Sequence, residues 1–309
     1  MRPESQINLY GYSETLQSFL YLYDKGKLPS KIILTGNRGI GKCTLAYHLI
    51  NYIFSKNEHG AYKTNINEID PNSKSFQLIQ NNLHPNFYKI NLNNEKSSID
   101  VNQIREMIKF SQKTSLNNKD KVILIDQVEY LNSNSANSLL KTLEELDNKI
   151  FFILIYNKEK KIIKTIKSRC IEFKLYLDRE FISTIVDNYF NDSVFGSINN
   201  DFKNTYLSPK TLIDFIEVSE EFKFDIKNGT IEEFIKTLIK NKIYQRKHLS
   251  HVDFKLFIEL YFRKKININF NPSILYYFSY FNKKYYEFKR YNLDLESFFI
   301  EFESKIFHE

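Results

Sequence analysis

The sequence predicts an α/β protein, with a parallel sheet domain first and helical parts after it. Three observations carry this. Short apolar runs alternate with helical patterns from residue 13 to residue 175, as in a sheet covered on both faces. A glycine-rich loop, Gly36 to Lys42, stands between one such run and a helical pattern. From Asp178 onward the strand signal fades and helical periodicity takes over. The boundaries this implies are 1–176 for the sheet domain, 177–220 for a small helical part and 221–309 for a further helical part.

Taken in order, residues 13–26 read as a helix with Leu16, Phe19, Leu20 and Leu22 on its apolar side, broken by Pro29. Lys31–Thr35 is a short buried strand, and a helix follows from Lys42 to Phe54. Residues 55–75 are polar and read as a loop or insertion. Phe87–Asn91 is the second strand. Ile99–Ser111 is a helix entered through Asp100, with Val101, Ile104, Ile108 and Phe110 expected inside. Lys121–Asp126 is the third strand, 135–146 a helix, Phe151–Tyr156 the fourth strand. A helical piece at 160–167 leads to a last strand at 170–175.

Length and composition set bounds. A chain of 309 residues exceeds one compact core, so two or three domains are expected. The 27 Phe and 21 Tyr provide large burial units for a folded protein. A net charge of +7 and a pI near 9.0 permit nucleic acid or acidic partners without requiring them. The two cysteines, Cys43 and Cys170, stand far apart, which excludes a disulfide framework and a four-Cys zinc site. No signal peptide is read at the start, and no apolar run approaches the ~20 residues of a membrane span. A cytoplasmic protein with no membrane partner is expected. No acidic cluster suits two metals, so a polymerase or nuclease centre is not expected here.

The chemistry-bearing motifs cluster in the first domain. Gly36, Gly39, Gly41 and Lys42 fit GxxxxGK, a loop whose backbone N–H groups and following helix cradle phosphates. ATP is the expected ligand. The usual hydroxyl for magnesium is replaced by Cys43, and a soft thiol suits that hard ion poorly. Thr44 is one residue on, about 100° around a helix, and should not fill the same place. Asp126, ending a buried strand, suits a role near magnesium. Gln127 follows where a carboxylate would activate water; Gln can orient water but cannot take its proton. Glu129 offers a carboxylate where the chain should already be turning. Asn157, after the fourth strand, suits a sensor of the γ-phosphate and equally a plain turn. Arg169, between Ser168 and Cys170, suits an arginine that reaches a transferring phosphoryl group in a neighbouring subunit.

Other candidates have plainer readings. Lys161, Lys164 and Lys167 suit one helical face, toward solvent or DNA phosphates. Tyr277, Phe278, Phe281, Tyr285 and Phe288 follow helical spacing, and core packing is favoured over base stacking. His84 beside Pro85 reads as a turn residue.

Taken together, the segments at Gly11–Tyr12, Gly26–Pro29, Gly36–Thr44, His84–Pro85, Asp126, Asn137–Glu145 and Ser168–Cys170 resemble the delta-prime subunits of bacterial DNA polymerase III clamp loaders. The resemblance covers the first 175 residues well and the rest by architecture. It implies an AAA+ P-loop domain, a helical lid and a C-terminal helical collar that joins five subunits. It also implies partners: delta and tau/gamma subunits, the sliding clamp and primer–template DNA. Subunits of this kind act as stators, and the resemblance gives Arg169 to the ATP site of an adjacent tau or gamma subunit. The family's four zinc-binding cysteines are missing, so no zinc is expected. Leu146 replaces a usual Pro, and Lys210 and Thr211 stand where an active lid carries an arginine. With Cys43 and Gln127, this points to weak or absent hydrolysis. The alternatives are an active motor subunit of the tau/gamma kind and a DNA-binding AAA+ adaptor unrelated to clamps.

Overall fold

The structure, a computed structural model, describes residues 2–92, 98–115, 120–145, 150–203, 207–246, 249, 252–269, 271–291 and 293–307. Leu146 lies outside them. The chain divides into two compact units, Met1–Phe181 and Ile182–Glu309.

The first unit is built on a five-stranded sheet: β1 (Lys31–Thr35), β2 (Phe87–Ile90), β3 (Lys121–Ile125), β4 (Ile150–Tyr156) and β5 (Ile171–Lys174). All neighbours are parallel, in the order β2-β3-β4-β1-β5. The α/β class read from the sequence is the one observed. Alternate residues of each strand face opposite ways, so each strand serves two cores. Leu34, Leu124 and Ile153 join one core with helices α1 (Ser13–Asp24), α2 (Lys42–Ser55) and α3 (Lys74–Gln80). Ile33, Ile123 and Phe152 join the other with α4 (Val101–Gln112), α5 (Ser133–Glu145) and α6 (Lys164–Lys167). Burial on both faces explains why β1, β3 and β4 are unbroken apolar runs. Edge strand β5 is mostly half-exposed, and Glu172 and Lys174 discourage further pairing.

Local chemistry fixes the helix starts. Asp100 accepts from the N–H groups of Asn102 and Gln103, and Gln103 returns a bond to the Asp100 N–H, a full capping box for α4. Ile104, Met107 and Ser111 are the buried residues of α4, and half-buried Ile108 and Phe110 pack against the same core as expected; Met107 joins the inner face, and Val101 is half-buried. Buried Lys121 closes this helix by donating to the carbonyls of Phe110 and Ser111 at 2.8 and 3.2 Å. The polar stretch 55–75 is anchored rather than free-standing. Tyr62 hydrogen-bonds His48 at 2.8 Å, and Glu58 accepts from both the hydroxyl and the N–H of Ser75. That bond leads into α3, which the sequence did not signal because only Phe76 and Ile79 of its turns are apolar and buried. The expected helix at 160–167 shrinks to α6, and Lys161 lies outside it, so the three lysines do not share a helical face.

The second unit is helical among its described residues: α7 (Arg179–Phe190), α8 (Val194–Ser197), α9 (Asn200–Lys203), α10 (Pro209–Glu221), α11 (Ile231–Lys240), α12 (Phe254–Ile268), α13 (Pro272–Tyr291) and α14 (Leu295–Phe307), with α7 starting in the last residues of the first unit. One core runs from Val186 to Phe302. Aromatic rings fill it: Phe202 stacks on Phe215 at 4.0 Å, and Phe281 meets Phe302 at 4.9 Å. Phe281 and Tyr285 are buried, and Tyr277, Phe278 and Phe288 pack against them, the core role the spacing favoured. Among the described residues no helix is long and apolar enough to cross a membrane.

Candidate functional site

The loop after β1 is shaped by its glycines. Gly39 and Gly41 have φ of 80° and 93°, a left-handed backbone that suits residues without a Cβ. Gly36 needs the same lack for space, because a Cβ there would meet the Leu175 carbonyl at 2.6 Å. The Gly36 N–H bonds the Tyr156 carbonyl at 3.2 Å, which fixes the loop above the carboxyl ends of β1 and β4. Tyr12 braces it with a 2.8 Å bond from its hydroxyl to the Ile40 carbonyl. Arg38 is tied to Glu159 at 3.1 Å, beyond the end of β4.

Lys42 opens α2 and is 3 % exposed. Its ammonium donates to the carbonyls of Gly36 and Asn37 at 2.8 and 2.5 Å, so the loop itself holds the cation where phosphates would come. Burial lowers its pKa to about 8, opposed by the charges of Asp126 and Glu129. Asp126 follows β3. Burial pushes its carboxyl up, and the foremost opposing charge is Lys89 on β2. Lys89 sits 3.8 Å from Glu4 and 5.6 Å from the Tyr47 ring centre, and Tyr47 is one helical turn beyond Cys43 on α2. Burial, then the Asp126 charge, keeps the Cys43 thiol well above its usual pKa, hence protonated.

Gln127 adopts φ 57° and starts a tight turn, Val128–Tyr130. That turn folds Glu129 inward, where it is 6 % exposed and accepts the Asn157 N–H at 3.0 Å. Its other oxygen is buried with no protein partner. The structure thus gathers Gly36, Gly39, Gly41, Lys42, Cys43, Asp126 and Asn157 at the carboxyl edge of the sheet. Thr44 is half-buried one residue farther along α2.

Arg169 stands elsewhere. It lies two residues before Ile171, which pairs with Ile32 at the start of β1. The P-loop begins after Thr35 at the other end of that strand, about 13 Å of strand rise away. Arg169 is 35 % exposed, donates from Nε to Glu144 at 2.6 Å and from Nη1 to the Thr165 carbonyl at 3.0 Å. It borders an open cleft of about 740 Å³ with Tyr23, Lys27, Lys31, Lys56 and Asp120.

The family described as "DNA polymerase III, delta subunit" matches residues 11–178, more than half of the chain. The chain belongs to this DNA polymerase III family. Similar curated proteins include DNA polymerase III subunit delta' of Pseudomonas aeruginosa, 31 % identical over 53 % of this chain and 48 % of that protein. DNA polymerase III subunit gamma of Buchnera aphidicola from Schizaphis graminum is 33 % identical over 56 % of this chain and 46 % of that protein. In both cases the match spans about half of the relative's length. The delta' subunit of the same Buchnera is 25 % identical over 84 % of this chain and 85 % of its own length. A solved DNA polymerase III gamma subunit-related protein of Thermotoga maritima shares the fold, with TM-score 0.50, 15 % identity, and 92 % of this chain and 96 % of that one covered.

The chain does not offer magnesium the usual shell. Magnesium wants oxygen ligands, and the first-turn position after Lys42 holds a protonated thiol. Among the described residues no cluster of three or more His, Cys, Asp or Glu suits a metal. His84 stacks on Phe54 at 4.0 Å and its Nδ1 accepts the Asn86 N–H, the turn role expected of it. Lys210 pairs with Asp214 at 2.7 Å within α10. Sequence reasoning missed the Glu129–Asn157 bond, Lys89 and Glu144. Each is a contact between strands or helices far apart in the chain, which no local pattern announces.

Proposed function

We propose that this chain is the delta-prime-type, stator-like subunit of a DNA polymerase III clamp loader, which helps set the sliding clamp on primer–template DNA in the cytoplasm. Its working group toward ATP is Arg169, offered to the site of an adjacent tau- or gamma-type ATPase subunit. The observation that carries this is the position of Arg169 at the sheet edge opposite its own P-loop. A guanidinium there is out of reach of its own nucleotide, is partly exposed, and is held by a carboxylate that is itself half exposed. An arginine supplied in trans contributes about 10³-fold or more to phosphoryl transfer. The chain's own P-loop keeps the shape for binding ATP, while Cys43 and Gln127 leave hydrolysis weak or absent. On this reading the helical remainder of the chain divides into a lid, 177–220, whose first residues belong to the first unit, and a collar for assembly, 221–309.

The motor reading, a tau/gamma-type ATPase, is favoured by one observation, the well-formed loop around Lys42. Mixing this chain with the tau/gamma and delta subunits of its own organism separates the two. A stator joins the assembly and raises the ATPase of the tau/gamma subunit while showing no turnover alone. Turnover by the isolated chain comparable with that of the tau/gamma subunit would establish the motor reading instead.

A further inference from the structure

The mismatch between this P-loop and magnesium points to a nucleotide site of a different kind. Two features stand together. The position that should hold the ion through a hydroxyl carries Cys43, and sulfur is a poor ligand for a hard cation. A fixed cation is already present on the same side of α2. Lys89 approaches from the neighbouring strand β2, its register partner on β3 is Leu124, and the Asp126 N–H bonds the Ile90 carbonyl at 2.8 Å, next to it in the chain. The Lys89 ammonium is positioned by Glu4 at 3.8 Å and by the face of Tyr47 at 5.6 Å, and Tyr47 lies one turn beyond Cys43.

We infer that this P-loop binds nucleotide phosphates without a divalent metal, with Lys89 supplying the positive charge beside Cys43 and Asp126. This rests on the P-loop half of the functional reading and is independent of Arg169. Phosphate charge is then met by Lys42, by the backbone N–H groups at the start of α2 and by Lys89. An ammonium balances charge without organising an attacking water, so such a site retains nucleotide rather than turning it over.

The test is equilibrium titration of a fluorescent ATP analogue into the full chain, in excess magnesium and in EDTA. Equal affinity in the two is expected. Lys89→Ala should weaken binding in EDTA by about tenfold, the weight of one charge-assisted hydrogen bond, and Lys89→Arg should restore most of it. Cys43→Thr should make binding tighter in magnesium than in EDTA. Thermal melts of each variant show whether it is folded, and the comparison on the unaltered chain needs no variant. Loss of affinity in EDTA would overturn the inference and leave the stator reading standing. Absence of binding in both conditions would overturn the inference together with the P-loop half of that reading, while Arg169 remains testable. Unchanged affinity in folded Lys89→Ala would overturn the role given to Lys89.

Discussion

At the carboxyl edge of the sheet the chain holds a tightly shaped loop; at the amino edge it holds Arg169 in a loose setting. The P-loop edge is heavily determined. Gly36 leaves room for the Leu175 carbonyl, Tyr12 braces Ile40, and buried Lys42 is held by two loop carbonyls. Yet Cys43 brings a thiol, Gln127 an amide, and Glu129 turns inward to accept the Asn157 N–H. Arg169 has few constraints, one partly exposed carboxylate and one helix carbonyl. A group meant for its own site would be buried and pre-organised there. On the proposed reading, Arg169 stays reachable for a neighbouring subunit, which would complete its ordering. The difference teaches that the geometry of a loop and the chemistry of the groups around it are separate matters.

The largest expected effect breaks the comparison at the amino edge. Arg169→Ala in the assembled complex should lower DNA-stimulated ATP turnover by about 10³-fold. Arg169→Lys should recover little, since lysine lacks the planar fork. At the other edge, Lys42→Ala should weaken nucleotide binding by this chain by at least about tenfold and leave turnover of the complex nearly unchanged. Equilibrium binding and steady-state ATPase read the two separately.

Gly36→Ala sharpens the view of the loop as a shaped element. The added methyl meets a backbone carbonyl that cannot swing aside, so a loss of about 1–3 kcal/mol in stability is expected by denaturant unfolding. The pH dependence probes the anchor of α2. His48 is buried against Tyr62, and burial lowers its pKa from 6.5 to about 4. The unfolded chain therefore takes up the proton first as pH falls. This contribution is full above pH 6.5, is lost progressively between there and about 4, and is constant below. Unfolding midpoints of the unaltered chain should fall across that window more than those of His48→Phe. The smallest effect should come from Glu144→Gln. Partly exposed pairs are worth at most about 1 kcal/mol, so turnover of the complex should change by only a few-fold.

Much of this was legible in the sequence, for physical reasons. β1, β3 and β4 are buried on both faces, so their apolar runs mark them to within a residue. The α4 capping box is a local signal, and Asp100 announces it. The loop glycines and Lys42 announce the tight turn between β1 and α2, which the structure shows. What the sequence withheld depends on contacts across long separations. α3 buries too few apolar residues to show a period, and a polar stretch became an anchored segment because Tyr62 meets His48. Met107 joins the inner face of α4 beside the expected Ile104, Ile108 and Phe110, because the sheet and α5, not the helix alone, decide which side is covered. The lysines at 161–167 looked helical as one run, but only Lys164 and Lys167 are in a helix, and Lys161 precedes it. Glu129 turning inward follows from the left-handed Gln127, which a sequence pattern does not reveal.

The most direct test of the central claim is the DNA-stimulated ATPase of the reconstituted clamp loader, with Arg169→Ala and Lys42→Ala of this chain measured side by side. The account predicts collapse of turnover with Arg169→Ala and little change with Lys42→Ala. Collapse with Lys42→Ala and silence with Arg169→Ala would contradict it, and would make this chain a motor rather than a stator.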